Sequence, residues 1–238
     1  MAQENYGTLA LVGSGEYLPK IEPVDAQLLQ RLHEPPRVVV LPTAAATEGQ
    51  HVIQRWAEMG VAHFQRLGVP VEPVMLLTRA DADREEIVAQ VARANFIYFS
   101  GGKPRYLLEA LQGSRTWEAI KRVLANGGVV AGCSAGAMVM GQAFFDFPQI
   151  WRMRPALDVV HNLAIIPHFD EMPAFFADNA IRAAGKLIVA GIEGSTALVG
   201  SSNGWTVIGS GGVTIFANKS KTRYTQGQTV PLEPLGKE

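Results

Sequence analysis

The five residues Gly132-Cys133-Ser134-Ala135-Gly136 are the stretch of this chain best suited to nucleophilic chemistry. They match Gly-x-Ser-x-Gly and lie between the β-rich run Val129–Ala131 and the apolar, small-residue run Ala137–Gly141. A sharp strand-to-helix turn at such a place holds a serine oxygen clear of the backbone. Small residues two places to either side let the turn close, and the N–H of the following residue points at a developing oxyanion. The register therefore names Ser134 as nucleophile and the Ala135 N–H as an oxyanion donor. The competing reading is a glycine-rich turn packed tightly under a helix. Cys133 is the other nucleophile in reach, and thiols react well at neutral pH. However, its neighbours two places away are Ala131 and Ala135 rather than glycines, so it reads as a small buried residue.

A serine nucleophile needs a base, and the chain has five histidines. His33, His51 and His63 sit in helical or near-helical stretches among polar neighbours and read as solvated, while His161 falls in a loop. His168 follows the apolar run Leu163–Ile166 and Pro167. That puts it at the carboxyl end of a strand, where open α/β sheets bind ligands. A structural histidine capping a strand end fits the same position. The acid that would orient it stays open from the residues alone among Asp146, Asp158, Asp170 and Glu193. Each of these also reads as a loop residue or helix cap.

These groups need a scaffold, and the pattern supplies one. Short apolar runs alternate with longer amphipathic stretches, as in βα units around a parallel sheet. Strands are expected at Thr8–Val12, Arg37–Leu41, Val71–Leu77, Phe96–Phe99 and Val129–Ala131. Helices are expected at Asp25–Leu32, Thr47–Leu67, Ala82–Arg93, Pro104–Leu111, Thr116–Ala125, Ala137–Gly141 and Pro173–Ala184. Ala197–Val199, Trp205–Ile208 and Gly212–Phe216 read as β-hairpins closing the C-terminal edge. The expected fold is α/β, a doubly wound, mostly parallel sheet with flanking helices and a C-terminal β-hairpin region. All of residues 1–238 are read as one domain.

Hydrophobic residues make up 47% and charged residues 18%, a globular balance that argues against disorder. The net charge of −1 gives no electrostatic footprint for nucleic acid or an anionic membrane. The single cysteine forbids an intrachain disulfide. Met1–Tyr6 shows no basic segment leading into an apolar one, and no apolar run approaches the ~20 residues of a membrane span. The expectation is a cytoplasmic protein with no membrane or nucleic-acid partner, and a homodimer is left open. His, Cys and carboxylate clusters with ligand spacing are absent, and Gly13-Ser14-Gly15 lacks the full dinucleotide fingerprint. No metal or organic cofactor is expected.

The chain resembles peptidase family S51, the group that includes dipeptidase E and cyanophycinases, within the class I glutamine amidotransferase-like fold. The resemblance is carried by Leu9–Glu16 (LALVGSGE) with Val38–Ala46 (VVVLPTAAA), by Phe99–Leu108 (FSGGKPRYLL), by Gly132–Ala137 (GCSAGA) and by Leu157–Phe169 (LDVVHNLAIIPHF). Gly191–Val199 (GIEGSTALV) fits as well. The resemblance implies Ser134 as nucleophile and His168 as base, with the acid between them. Asp146, in Phe145-Asp146-Phe147-Pro148, resembles an Asp-x-Pro step of dipeptidase E and is chosen on that ground. The resemblance also implies a second oxyanion donor from the glycine-rich loop, at Gly101 or Gly102. Two departures are visible. Lys103 stands where many relatives carry Asn or Asp, and Ile166-Pro167 with Asp170-Glu171 replace the flanks typical of cyanophycinases.

The function so implied is hydrolysis of a short peptide or isopeptide, such as an aspartyl dipeptide or a cyanophycin-like substrate. An acidic or polar residue on the acyl side would need a cation, and Lys103 and Arg105 are the nearest in sequence. Both also read as solvated residues at a helix start. An α/β-hydrolase esterase shares the motif and the Ser-acid-His order, but Ala135–Pro167 leaves little room for its intervening strands and cap. A catalytically silent binding or assembly protein of the same fold is the reading from a different class.

Overall fold

The computed structural model describes residues 6–146 and 149–236. Residues 1–5, read above for a leader, and the Phe147-Pro148 half of the Asp-x-Pro step lie outside the described residues. The strands are β1 (Thr8–Val12), β2 (Val38–Leu41), β3 (Val71–Pro73), β4 (Phe96–Phe99), β5 (Val129–Cys133), β6 (Ala143–Asp146) and β7 (Gln149–Pro155). They continue as β8 (Leu163–Ile166), β9 (Ile188–Ile192), β10 (Thr196–Ser201), β11 (Gly204–Gly209), β12 (Gly212–Ala217), β13 (Ser220–Thr225) and β14 (Thr229–Val230). The α-helices are α1 (Glu22–Leu29), α2 (Gln50–Arg66), α3 (Glu85–Arg93), α4 (Pro104–Leu111), α5 (Arg115–Ala125), α6 (Ala135–Met138) and α7 (Ala174–Ala183).

An eight-stranded sheet runs β14-β11-β10-β1-β5-β4-β2-β3. The five strands from β1 to β3 are mutually parallel, and β10, β11 and β14 add antiparallel. Strand periodicity explains why helices cover both faces. Leu9, Leu11, Val39, Leu41, Ile97, Phe99 and Val130 point into a core shared with α3, α4, α5 and α6. Their alternates Ala10, Val12, Val38, Val40, Phe96, Tyr98, Val129 and Ala131 point into a second core with α1 and α2. The doubly wound, mostly parallel architecture expected from the sequence is present.

The C-terminal strands divide differently from expectation. The β10–β11 hairpin does extend the main sheet, but β12 does not. It leaves to pair with β13 and β9 in a four-stranded sheet of order β13-β12-β9-β8. The expected Val71–Leu77 strand stops at Pro73, and the expected helix Ala137–Gly141 is the single turn of α6. His63 is also a correction. It is fully buried, and its Nε2 lies 2.7 Å from Oδ2 of the fully buried Asp25. Burial pushes the Asp25 carboxyl up from its ordinary value, against the pull of the His63 hydrogen bond.

Candidate active site

The site is assembled where several strands end together. The carboxyl ends of β1, β4 and β5, with that of β8 from the second sheet, deliver Gly13–Glu16, Ser100–Lys103, Ser134 and His168 to one region. Ser134 itself sits at φ 50° and ψ −107°, strained for a non-glycine residue, between β5 and the helical turn α6. Two close approaches force that turn. A Cβ on Gly132 would lie 2.4 Å from the Gly136 carbonyl oxygen, and one on Gly136 would lie 2.9 Å from the Phe99 oxygen. The glycines of the motif are thus needed for backbone to pack on backbone.

His168 follows Pro167 at φ 52°. Its N–H donates to the Gly13 carbonyl at 3.3 Å, while the Ser134 N–H donates to the Val12 carbonyl at 3.0 Å. The ring then meets the hydroxyl, with His168 Nε2 3.1 Å from Ser134 Oγ. This is the geometry in which an imidazole accepts a serine proton. Nε2 can accept only in the tautomer that carries its proton on Nδ1. Nδ1 faces Oε2 of Glu171 at 3.4 Å, across a turn closed by the Glu171 N–H on the His168 carbonyl. This is a long contact between side chains 42% and 66% exposed.

Asp146 is placed elsewhere. Its Oδ2 accepts from Arg154 Nη2 at 2.8 Å and Nε at 3.1 Å, and among the described residues it makes no hydrogen bond to His168. The strand β6 aims it at Arg154 on the neighbouring β7, so it lines the cavity without reaching the ring. The other carboxylates weighed from sequence are also engaged. Asp158 faces His161, Asp170 accepts the Gly194 N–H, and Glu193 takes Arg223 and the Gly212 N–H. Glu171 was missed, although its spacing of three from His168 within one turn was the available signal.

The N–H groups expected to face an oxyanion can also be located. The Ala135 N–H opens α6 and has no acceptor among the described residues, and the same holds for the Gly102 N–H. Gly101 differs, because its N–H donates to Glu16 Oε1 at 2.8 Å and is spent inside the protein. Of the two loop donors read from sequence, Gly102 is the one left free. Glu16, the second residue that sequence reasoning passed over, is 8% exposed, and its Oε2 accepts the Cys133 S–H at 3.0 Å. Burial, and then Glu16, push the Cys133 thiol well above its usual range, so it is no competing nucleophile.

Ser134 and His168 open onto a cavity of about 560 Å³. Its wall is apolar at Met138, Phe145, Ile166, Pro167 and Met172, and charged at Lys103, Arg105 and Asp146. Arg105 is tied to Glu109 at 2.8 Å, and that carboxylate, followed by Asp146, raises its pKa. Lys103 caps α4 and has no ion pair among the described residues. Among those residues there is no group of three His, Cys, Asp or Glu placed to hold a metal. No helix there is long and apolar enough to cross a membrane.

Residues 9–208 match the family model described as peptidase family S51. A crystal structure of a peptidase from an acI-B1 actinobacterium superposes with TM-score 0.86 at 32% identity, covering 97% of this chain and 99% of that one. Cyanophycinases from Synechococcus elongatus and Thermosynechococcus vestitus are each 28% identical over 188 residues, which is 72% of this chain and 57% of theirs. The match therefore spans little more than half the length of those curated relatives.

Proposed function

Given that the chain belongs to peptidase family S51, we propose that it hydrolyses an amide bond of a short peptide or isopeptide, with Ser134 as nucleophile and His168 as general base. The observation that carries this reading is the 3.1 Å approach of His168 Nε2 to the hydroxyl of a serine held at positive φ. Ser134 Oγ attacks the carbonyl carbon as its proton passes to Nε2. The developing oxyanion accepts from the Ala135 and Gly102 N–H groups, each worth about 10²–10³ in rate. His168 returns the proton to the departing amine. Water then attacks the acyl carbon as its proton passes to the same nitrogen, which hands it on to the departing Ser134 Oγ. Glu171 supports the Nδ1–H tautomer.

The cavity favours a small substrate. Its apolar wall takes aliphatic or aromatic atoms, and Lys103 at its edge beside Gly102 pairs with a carboxylate of the substrate, as an aspartyl residue on the acyl side supplies. Arg105 contributes less, because Glu109 already occupies its guanidinium. The test is turnover of a dipeptide and isopeptide library, with fluorophosphonate labelling of the enzyme. Ser134→Ala should abolish both turnover and labelling, and Lys103→Ala should raise KM for aspartyl substrates more than for leucyl ones. Turnover that survives Ser134→Ala refutes the nucleophile, and a leucyl preference untouched by Lys103→Ala refutes the carboxylate contact.

A further inference from the structure

Glu16 is a buried acidic side chain that the mechanism above does not use. It stands just past β1, beneath the two segments that would cradle an oxyanion, and its two oxygens go to different ones. Oε1 accepts the Gly101 N–H at 2.8 Å, and Oε2 accepts the Cys133 S–H at 3.0 Å. Cys133 is the residue before Ser134, and Gly101 the residue before Gly102. We propose that Glu16 is a positioning residue for the reaction, one carboxylate that sets the distance between the glycine loop and the nucleophile turn.

The packing makes this specific. A Cβ built on Gly101 would lie 2.7 Å from Glu16 Oε1 and 3.3 Å from Ser134 Cβ, so Gly101 is wedged between the carboxylate and the nucleophile. On the far side of the loop, the Lys103 N–H donates to the Ala44 carbonyl at 2.8 Å. A Cβ on Gly102 would come within 2.5 Å of that same carbonyl. The peptide linking Gly101 to Gly102 is therefore held from both ends, with Glu16 on one and Ala44 on the other. The Gly102 N–H between them has no acceptor among the described residues, and Gly102 lines the cavity.

A carboxylate suits this post because both of its oxygens accept, and a charge-assisted bond to an N–H is about twice as strong as a neutral one. Burying it without those two donors would be costly. Glutamine keeps an acceptor for the Gly101 N–H and loses the one for the thiol. Alanine releases both segments.

The inference rests on the Ser134 reading, so turnover is counted per Ser134 titrated with fluorophosphonate, and loss of Ser134 dependence would sink that reading rather than this one. The expected result is a kcat per titrated site about 10²-fold lower in Glu16→Ala and within about tenfold of wild type in Glu16→Gln. KM should stay nearly constant, and affinity for a peptide aldehyde should fall in step with kcat/KM. A role confined to folding would lower thermal stability and the titratable fraction but leave kcat per site and aldehyde affinity intact, and that outcome overturns the proposal. If Glu16→Ala yields no folded protein, Gly101→Ala serves in its place, because its Cβ displaces the same carboxylate. It should show the same loss of kcat per site, and unchanged turnover there overturns the proposal as well.

Discussion

Replacing Glu171 by glutamine should slow the enzyme only modestly, which sets this site apart from one with a buried triad acid. Nδ1 of His168 lies 3.4 Å from Glu171 Oε2, and both side chains are substantially exposed. A pair of that length in water contributes about 1 kcal/mol or less, which is roughly fivefold in rate. Loss of a buried, short-bonded acid costs about 10⁴. Glu171→Gln should therefore lower kcat by no more than about tenfold, with KM unchanged, and the loss should shrink as salt screens the wild-type pair. Asp146→Asn is the matched comparison. It weakens the grip on Arg154 at the cavity wall and leaves His168 alone, so it should act on KM rather than kcat. Steady-state kinetics on one short peptide at two ionic strengths separates the cases. A loss of ~10³ or more in kcat from Glu171→Gln, or a loss on that scale from Asp146→Asn at constant KM, refutes the reasoning.

Gly132→Ala should destroy activity and cost about 1–3 kcal/mol of stability, because its Cβ would sit 2.4 Å from the Gly136 carbonyl; denaturant titration and residual turnover check both. The Asp25 carboxyl is raised in the folded state by burial first, with Glu16 and Glu22 adding to the rise. The folded state therefore binds its proton more tightly than the unfolded state does. That stability is complete below the ordinary carboxylate range and is lost as pH climbs through the raised value. Asp25→Asn should abolish this part of the pH dependence of the denaturation midpoint, and an unchanged slope above the ordinary carboxylate range contradicts the assignment.

The parts that could be read from the sequence are those whose cause is local. Val129–Gly136 announces its strand, its turn and its register because two glycines and a serine at fixed spacing admit few backbones. The alternating runs that became β1, β2, β4 and β5 carry both buried faces in their composition. What was not legible depends on distance through space. Asp146 precedes His168 by two strands and Glu171 follows it in the next turn, and the pairing of β6 with β7 sends the first to Arg154, while that turn gives the second to the ring. His63 lies at helical spacing from Ile53, Ala57 and Gly60 on the buried face of α2, which the pattern does show, but its Asp25 partner comes from another helix, which no single-helix pattern could show. Glu16 looks like a loop residue until β4 and β5 arrive beside it. The β12 strand reads as one more hairpin arm, and only its pairing with β9 sends it to the second sheet.

Ser134 and His168, the proposed nucleophile and base, hang from adjacent carbonyls. The Ser134 N–H takes the Val12 oxygen and the His168 N–H takes the Gly13 oxygen, so both groups are measured from a single datum at the end of β1. Errors in the chain between them then do not accumulate in the gap that matters. The intervening segment contains the β6–β7 hairpin, which forms part of the cavity wall and joins neither larger sheet. Its exposed positions, Arg152 and Pro155 among them, can change while the serine–imidazole distance stays as the strand end sets it, whereas Phe145 packs with Ala164 and Ile166 of β8 and is held to that strand. The molecule thus separates a part built to close tolerance from a part free to vary, and new substrate shapes can be tried on the second without retuning the first.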